Sequence, residues 1–450
     1  MRYRYRSDDE FKIGEHSKIP KSWIQSKSQY YFDVFAGGTP STNEPSYWDG
    51  SIPWINSGEV QNGLVKNISR YITDKGLKES STKLIPADTV LLAMTGATCG
   101  NVGYLTFGST ANQSVMAFVP RKKFISKFLY YYLMCQKQQI EYYKTGGAQG
   151  GINVDNGKKL YINIPQLKEQ EKIANFLDEK TLQFDLIISK KEKLIERLEE
   201  AKKSLISEVV TGKVKVVKTD DGYELVKRSS EEMKDSGVKW LGEIPKEWDI
   251  KRLRFLGKLQ NGISKSSDSF GYGYPFVSYS NVYRNIELPH IVEGLVNSTE
   301  EERKIYSVEE GDVFFTRTSE TVEEIGFAST CMKTIDNSTF AGFLIRFRPN
   351  DKRLYKGFSK YYFRCDLNRK YFVKEMNLVT RASLSQNLLN NLSVVLPKYE
   401  EQVEIYNALE LKVSYINLSI NKLKYQIEKL KEAKQSLISE AVTGKIEILD

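Results

Sequence analysis

Leu205-Ile206-Ser207-Glu208-Val209-Val210-Thr211-Gly212-Lys213 is the stretch that decides the fold, because it returns as Leu437-Ile438-Ser439-Glu440-Ala441-Val442-Thr443-Gly444-Lys445. The offset is 232 residues, and it is already in place where Pro165 matches Pro397. Nearer the start the offset differs, since Pro53 matches Pro275, 222 residues later. A locked offset indicates a rigid element, and a drifting one indicates insertions in loops. The chain therefore contains two copies of one unit.

The second part of each copy predicts a long helix. No proline or glycine occurs from Lys168 to Thr211 or from Lys398 to Thr443. Positions three and four residues apart form a matching seam in each stretch: Leu177, Thr181, Phe184, Ile188, Lys191, Ile195 and Leu198, and then Leu409, Val413, Ile416, Ile420, Leu423, Ile427 and Leu430. Such a seam is typical of a coiled coil. Because two equal seams each need a partner, a paired coiled coil is favoured over helices that lie on their own domains.

The first part of each copy, roughly 24–167 and 249–399, predicts a mixed α/β domain dominated by strands. Short apolar runs are separated by Gly and Asn turns, and 127–143 and 360–373 predict helices. The predicted fold class is α+β, with two mixed α/β domains joined by two long antiparallel coiled-coil helices in an internal pseudo-two-fold repeat.

The repeat also gives the expected domain boundaries. These are a first globular domain 1–167, a first long helix 168–212, a linker 213–243, a second globular domain 244–399, a second long helix 400–444 and a C-terminal tail 445–450. We expect no counterpart of this linker after the second long helix.

Composition excludes several classes of protein. The chain has 450 residues, and it contains no apolar run long enough for a membrane span and no secretory signal at its start. Cys99, Cys135, Cys331 and Cys365 are far apart, which argues against a disulfide framework or a zinc site. The sequence therefore predicts a globular cytoplasmic protein that has no membrane partner and no metal site.

Charge is distributed unevenly between the two kinds of element. Residues 168–205 carry 9 basic and 9 acidic side chains, whereas residues 24–167 carry 14 and 9, and residues 249–399 carry 22 and 17. The excess of the whole chain, +9, therefore lies on the globular domains, where aromatic and amide side chains accompany it. This distribution indicates a surface for nucleic acid on each domain.

Four duplicated or ordered features carry a resemblance to a known family. They are the lead-in Lys234-Asp235-Ser236-Gly237-Val238-Lys239-Trp240-Leu241-Gly242-Glu243-Ile244-Pro245-Lys246-Glu247-Trp248, the helix entries Ile164–Gln170 and Leu396–Gln402, the two Leu-Ile-Ser-Glu endings, and the order domain, helix, domain, helix. Together they resemble the specificity subunits of type I restriction–modification systems. The first copy departs from this pattern, since its lead-in is the diverged Gly14-Glu15-His16-Ser17-Lys18.

The resemblance implies that the globular domains are target-recognition domains and that the long helices are spacers. It implies double-stranded DNA as the ligand, with each domain reading one half of a split site. It also implies two modification (methyltransferase) subunits and two restriction (ATP-dependent translocase/endonuclease) subunits as partners. S-adenosylmethionine, ATP and magnesium are expected on those partners, and no cofactor is expected in this chain.

Base reading needs paired donors and acceptors delivered by loops, and three loops per domain fit this requirement. The first follows an apolar strand, the second follows the strands that Asp88 and Asp312 open, and the third precedes the spacer helix. The candidate DNA-binding residues are Asn56, Ser57, Thr95, Gly96, Thr98, Lys144, Thr145, Gln149 and Asn153 in the first copy, and Ser278, Tyr279, Arg317, Thr318, Ser319, Arg381, Ser383 and Ser385 in the second.

Other functions remain as alternatives. A coiled-coil scaffold, or a stand-alone DNA-binding protein without restriction partners, would share the repeat. A DNA methyltransferase or nuclease is disfavoured, because the chain has no Pro-Pro pair, no Gly-Lys-Ser/Thr and no Pro-Asp, and its two histidines, His16 and His290, lie in separate copies. We therefore expect no catalytic residues in this chain.

Overall fold

A computed structural model describes residues 2–145, 150–319, 325–375 and 382–449. The chain divides into two compact units. The first consists of Met1–Lys191 with Lys424–Asp450, and the second is Glu192–Leu423. No helix of the described ranges has the length and apolar character that a membrane span requires.

The strands are short, and most of them recur in both copies. In chain order they are β1 Tyr3–Tyr5, β2 Phe11–Ile13, β3 Lys18–Pro20, β4 Ile24–Lys27, β5 Phe32–Ala36, β6 Trp48–Ile55, β7 Gly63–Leu64, β8 Arg70–Ile72, β9 Thr89–Ala93, β10 Val102–Leu105, β11 Thr110–Ala111, β12 Val115–Pro120, β13 Tyr161–Ile164, β14 Val214–Thr219, β15 Gly222–Lys227, β16 Met233–Asp235, β17 Glu243–Pro245, β18 Asp249–Arg252, β19 Gly257–Asn261, β20 Phe270–Val277, β21 Leu295–Val296, β22 Val313–Thr316, β23 Thr318–Ser319, β24 Ala328–Thr330, β25 Thr339–Phe340, β26 Leu344–Pro349, β27 Ala382–Ser383, β28 Ser393–Leu396 and β29 Ile446–Ile448.

The helices are short except for two. They are α1 Asp74–Lys78, α2 Ser126–Met134, α3 Lys137–Tyr143, α4 Val154–Lys158, α5 Leu167–Val210, α6 Tyr279–Arg284, α7 Glu300–Ile305, α8 Lys356–Arg364, α9 Asp366–Glu375, α10 Gln386–Asn390 and α11 Tyr399–Val442. The single helices predicted over 127–143 and 360–373 are wrong in one respect, because each is divided into two. The break falls at Cys135-Gln136 in the first copy and at Cys365 in the second.

Each unit is built on a main sheet with a smaller sheet beside it. The order in the first unit is β5-β12-β9-β10-β7, with β11-β6-β8 as the smaller sheet. The order in the second unit is β19-β26-β22-β24, with β21-β20-β25. Phe118 and Phe128 lie in the core of the first unit, and Phe347 and Phe358 occupy the corresponding places in the second. The mixed α/β character predicted for both domains is confirmed.

The two long helices, α5 and α11, have 44 residues each. Within the first unit, Lys434 pairs with Asp185 at 2.6 Å and Lys191 donates to Gln426 at 2.7 Å. As the residue number rises on one helix it falls on the other, so the two segments run in opposite directions in this unit. Positions of the predicted seam are buried or half-buried, including Ile420 and Ile427, whereas many residues between them are exposed.

Both helices end two residues before a glycine, close to the predicted helix ends at 212 and 444. Gly212 and Gly444 have φ of 77° and 75°, the left-handed conformation that suits a helix C-terminus. A Cβ on Gly212 would lie 2.3 Å from Cγ of Pro245, and one on Gly444 would lie 2.4 Å from Cγ of Pro20. These glycines therefore also let each lead-in segment pack against the end of a long helix.

The linker does have a counterpart, so the prediction that it has none is wrong. The hairpin β14–β15 follows α5, and β29, which follows α11, pairs in the same antiparallel way with β1. An arginine next to each pair of strands reaches the start of a long helix: Arg6 contacts Glu169 at 2.7 Å and Arg228 contacts Glu401 at 2.9 Å. The repeat thus includes the strands β1 and β29, which correspond to β15 and β14 although they lie at opposite ends of the described chain.

Candidate nucleic-acid interface

Main-chain hydrogen bonds connect the three predicted loops of the first unit, and we call the row that these loops form the loop edge of the unit. The amide of Asn112 donates to the carbonyl of Ile55 at 2.8 Å, which joins the end of β6 to the turn before β12. That turn is joined to the end of β9, since Met94 N donates to Ser114 O at 2.8 Å. The third loop completes the set, because Ile152 N donates to Met94 O at 3.0 Å. The three loops therefore lie side by side.

The second unit repeats this arrangement bond for bond. Ala341 N donates to Val277 O at 3.0 Å, and Arg317 N donates to Phe343 O at 3.0 Å. Leu384 N then donates to Arg317 O at 2.7 Å, as Ile152 does to Met94 in the first unit. Because these bonds use main-chain atoms, the frame is the same although the loop side chains differ.

Four of the predicted residues serve as N-caps of short helices or turns: Asn56, Asn153, Ser278 and Ser385. Asn56 accepts from Gly58 N at 2.8 Å and caps the short turn Ser57–Glu59. Asn153 accepts from Asn156 N at 2.8 Å at the start of α4. Ser385, which aligns with Asn153 at the 232 offset, accepts from Leu388 N at 3.1 Å at the start of α10. A capping oxygen holds the loop in place and is already used as an acceptor. The NH2 group of Asn153 and the hydroxyl proton of Ser385 can still donate to a ligand, whereas Nδ2 of Asn56 lies 3.5 Å from Oγ of Ser69.

The second and third loops of the first unit touch each other closely. Thr95 and Gly96 are exposed, and Gly96 has a φ of 70° with open space around it. The hydroxyl of Thr98 donates to Thr95 O at 3.4 Å. A Cβ on Gly151 would lie 2.5 Å from Met94 O, so the third loop packs here without side-chain bulk.

Of the remaining predicted residues of the third loop, the structure describes Lys144 and Thr145. Lys144 pairs with Glu141, and that hydrogen bond raises the pKa of the lysine. Thr145 bridges to Gly151 through the main chain at 3.0 Å. Gln149 lies outside the described residues.

The second unit places its predicted residues on three elements. Ser278 caps α6, and Tyr279 on that helix stacks on Tyr283 with ring centres 6.0 Å apart. Thr318 and Ser319 form β23, which pairs with β27 so that Thr318 lies opposite Ser383. Arg317 is half-buried at the start of this ladder. Arg381 lies outside the described residues.

Each edge has a fourth element that the sequence analysis does not include. It is the turn before the last strand of the main sheet, which lies between the first and second loops in space although it follows both in sequence. In the first unit this turn carries the exposed Gln113, which accepts a hydrogen bond from Thr39. In the second unit it carries Phe343, which is 64% exposed. The polar run Asn112-Gln113-Ser114 was the available signal, but it lies outside the three loops that the strand pattern indicates.

A tyrosine in each domain fixes the domain to a long helix. Tyr131 on α2 donates to Asp178 at 2.8 Å, and Tyr361 on α8 donates to Glu410 at 2.8 Å. Burial, and with it the adjacent carboxylate, raises the pKa of both phenols, which keeps each hydroxyl protonated as a donor. We call these two pairs the tyrosine latches.

Comparison with known proteins places these features in one family. Residues 20–199 and 245–429 match the family model described as the type I restriction modification DNA specificity domain. The MjaIX specificity subunit of Methanocaldococcus jannaschii is 33% identical over 265 residues, which are 58% of this chain and 57% of that protein. The EcoKI specificity subunit of Escherichia coli K12 is 23% identical over 452 residues, covering 95% of this chain and 90% of that protein.

Solved structures share the fold. A chain from a structure that addresses complex assembly and conformational transition of the type I R-M system superposes with a TM-score of 0.72 at 15% identity, covering 95% of this chain and 99% of that one. The HsdS subunit of Thermoanaerobacter tengcongensis gives a TM-score of 0.53 at 15% identity, covering 96% and 99%. Because the family model matches most of the sequence, and matches it twice, the chain belongs to the family of type I restriction–modification specificity proteins.

Proposed function

We propose that this chain recognises a split DNA sequence, with each unit reading one half. The observation that carries the proposal is the edge of three loops, which recurs in both units with the same main-chain bonds. Each edge belongs to a domain with a net excess of five positive charges, as a phosphate-binding surface requires. The 17 candidate residues named above are the proposed contacts, and those with capping oxygens also position their loops.

The domain boundaries predicted from the sequence form part of the proposal. The target-recognition domains are 1–167 and 244–399, and the spacer helices 168–212 and 400–444 form an antiparallel coiled coil with pseudo-two-fold symmetry. The opposed contacts between α5 and α11 in the first unit, and the contact of Lys202 with Asn417 at 3.0 Å in the second, support this pairing.

The chain is proposed to direct enzymes rather than to act as one. Two modification subunits, which bind S-adenosylmethionine, and two restriction subunits, which use ATP and magnesium, would supply the chemistry. Apolar side chains on the outer faces of the long helices offer a docking surface for the modification subunits. Examples are Leu182 at 71%, Leu418 at 66% and Tyr425 at 63% exposure.

The first test separates recognition from catalysis. The purified chain is incubated with a duplex that carries the methylated positions found in the host genome. We expect retention of the duplex on a filter and no methyl transfer from labelled S-adenosylmethionine. Methyl transfer by the chain alone would contradict the non-catalytic role. Absence of binding to any duplex, both alone and with modification subunits, would favour the scaffold alternative.

Arg317 provides a test at a single residue. If its guanidinium holds a guanine through paired hydrogen bonds, Arg317→Ala should weaken specific binding by about 1–3 kcal/mol. The loss should appear as relaxed base preference within the second half-site, measured by competition with duplexes substituted one base pair at a time. Base preference in the first half-site is the internal control, and relaxation there as well would rule out this contact.

A further inference from the structure

A basic cleft lies inside the second unit, between the long helices on one side and α8 and α9 on the other. Its volume is about 520 Å³. The basic residues that line it are Lys202, Lys203, Arg284, Lys360, Arg364 and Arg369. Asp366 and Glu410 are its acidic residues.

Two of the cations are already neutralised by carboxylates. Lys360 Nζ lies 2.6 Å from Glu410 and 2.9 Å from Glu287, and these bonds raise its pKa although burial opposes the shift. Lys202 pairs with Glu199 at 2.5 Å. These two lysines therefore add little positive potential to the cleft.

Arg364 keeps its charge without a carboxylate partner in the described part of the chain. Its guanidinium donates to the carbonyls of Tyr283 at 2.7 Å, Ala328 at 3.0 Å and Val282 at 3.1 Å. Burial, and then the nearby charge of Arg369, lower its pKa to about 10. The group is thus still protonated at neutral pH, and the carbonyls hold it in place without cancelling its charge.

The other three cations are also unpaired within the described ranges. Arg369 lies 4.1 Å over the ring of Phe327, which Arg364 contacts at 4.4 Å, and its Nε is buried with no hydrogen-bond partner there. Arg284 and Lys203 are exposed, and they form no ion pair with any described residue. Four positive charges therefore face the cleft. They outweigh the carboxylate of Asp366 and the one negative charge left over where Glu287 and Glu410 share Lys360, so the cleft is suited to an anion.

A row of aromatic rings connects the cleft to the first predicted loop of this unit. Tyr279 stacks on Tyr283, and the ring of Tyr283 lies edge-on to Phe327 at 5.1 Å. Phe327 in turn lies under the two arginines. An anion in the cleft would therefore lie close to the base-reading edge, which favours a phosphate of the same DNA over the acidic segment of a protein partner.

The first unit does not repeat these charges. Met134 stands where the second unit has Arg364, at the offset of 230 that also aligns Tyr131 with Tyr361. Gln435 stands where the second unit has Lys203, at the locked offset of 232. The basic cleft is thus a property of one half of an otherwise repeated molecule.

We propose that this cleft binds the phosphodiester backbone of DNA beside the half-site read by the second domain, and that the first domain has no equivalent contact. The inference rests on the proposed function, because it assumes that the chain binds duplex DNA. It adds an asymmetry: the two half-sites differ in how strongly the flanking backbone is held.

The test is the salt dependence of binding by the full chain carrying both Lys203→Gln and Arg284→Gln. Both residues are exposed, so the core is untouched, and K203Q installs the residue that occupies the matching position, Gln435, in the first unit. The probe is a duplex of mixed sequence several turns long. Each lost phosphate contact flattens the slope of log K against log salt by about 0.9, so a slope shallower by about 2 is expected.

Lys193→Gln is the matched control, since Lys193 is exposed on the same long helix but outside the cleft. Its slope should equal that of the unaltered chain. An unchanged slope in the double variant overturns the inference, and loss of a modification subunit instead would assign the cleft to an acidic protein partner. Failure of the unaltered chain to bind any duplex would overturn the proposed function, and the inference with it.

Discussion

Exchange of residues 249–399 for the equivalent domain of a relative is expected to change one half of the recognised sequence and to leave the other half intact. The loops of each edge are bonded to one another within their own unit, as Arg317 is to Leu384. The grafted domain is therefore expected to keep its own base contacts in the chimaera. The effect is large, because each mismatched base pair costs about 1–3 kcal/mol and a whole half-site is replaced. Sequencing of methylated positions in the host genome measures it.

The graft should preserve the tyrosine latch of the second unit. Tyr361 lies inside the exchanged segment and Glu410 lies outside it, so the donor domain needs a tyrosine at the aligned position. A control chimaera carries the same junctions with the original loops, and it should keep the original sequence preference. A change in both half-sites, or in neither, would refute the assignment of one half-site to each domain.

Asp312→Ala is expected to lower the free energy of unfolding by about 3 kcal/mol, the largest loss we expect from a single substitution. The Asp312 side chain is 1% exposed, and its two carboxylate oxygens accept from Nε and an Nη of Arg348 at 2.7 and 2.6 Å. It also accepts from Glu309 N at 2.8 Å. Removal of the carboxylate takes the buried acceptor from a partly buried guanidinium, which keeps only Glu309 and Ser307, and leaves the main-chain amide of Glu309 without its acceptor. Urea denaturation monitored by tyrosine and tryptophan fluorescence measures the loss.

Glu309→Ala is the matched control, because Glu309 contacts the same arginine at 2.7 Å from an exposed position. A surface pair of this kind contributes about 0–1 kcal/mol, so this variant should be close to the unaltered chain. Equal losses from the two substitutions would show that burial of Asp312 adds nothing to its pairing with Arg348.

The long helices could be predicted because their signal is local and repeated. Neither stretch contains proline or glycine, and the spacing of Ile420 and Ile427 indicates a buried seam on one face. Burial of that seam, and the glycines at both helix ends, agree with the prediction. The strands and their α/β domains could be predicted for the same reason, although short helices were merged where a single residue, such as Cys365, separates two of them.

The counterpart of the linker could not be found in the same way. A repeat search aligns segments that follow one another, whereas β1 and β29 lie at opposite ends of the chain. Only the three-dimensional pairing shows that together they match β14 and β15.

The roles of single loop residues are ambiguous for a chemical reason. Asparagine and serine are preferred both at helix N-caps and in contacts with bases, since both uses need a short polar side chain. The sequence predicts base contacts for Asn153 and Ser385, and their oxygens accept hydrogen bonds at the N-caps of two short helices. Phe343 was missed because an exposed aromatic residue in a turn has the same sequence pattern as one at the end of a strand.

The main-chain bonding of the loop edges has a consequence for how such proteins diversify. Amide and carbonyl groups are present whatever the side chain, so bonds such as Ile152 to Met94 and Leu384 to Arg317 persist when neighbouring codons mutate. Substitutions on this edge can thus alter recognition with little loss of folding stability. A population of hosts could therefore acquire new restriction specificities through a few point mutations, without compensating changes in the rest of the molecule.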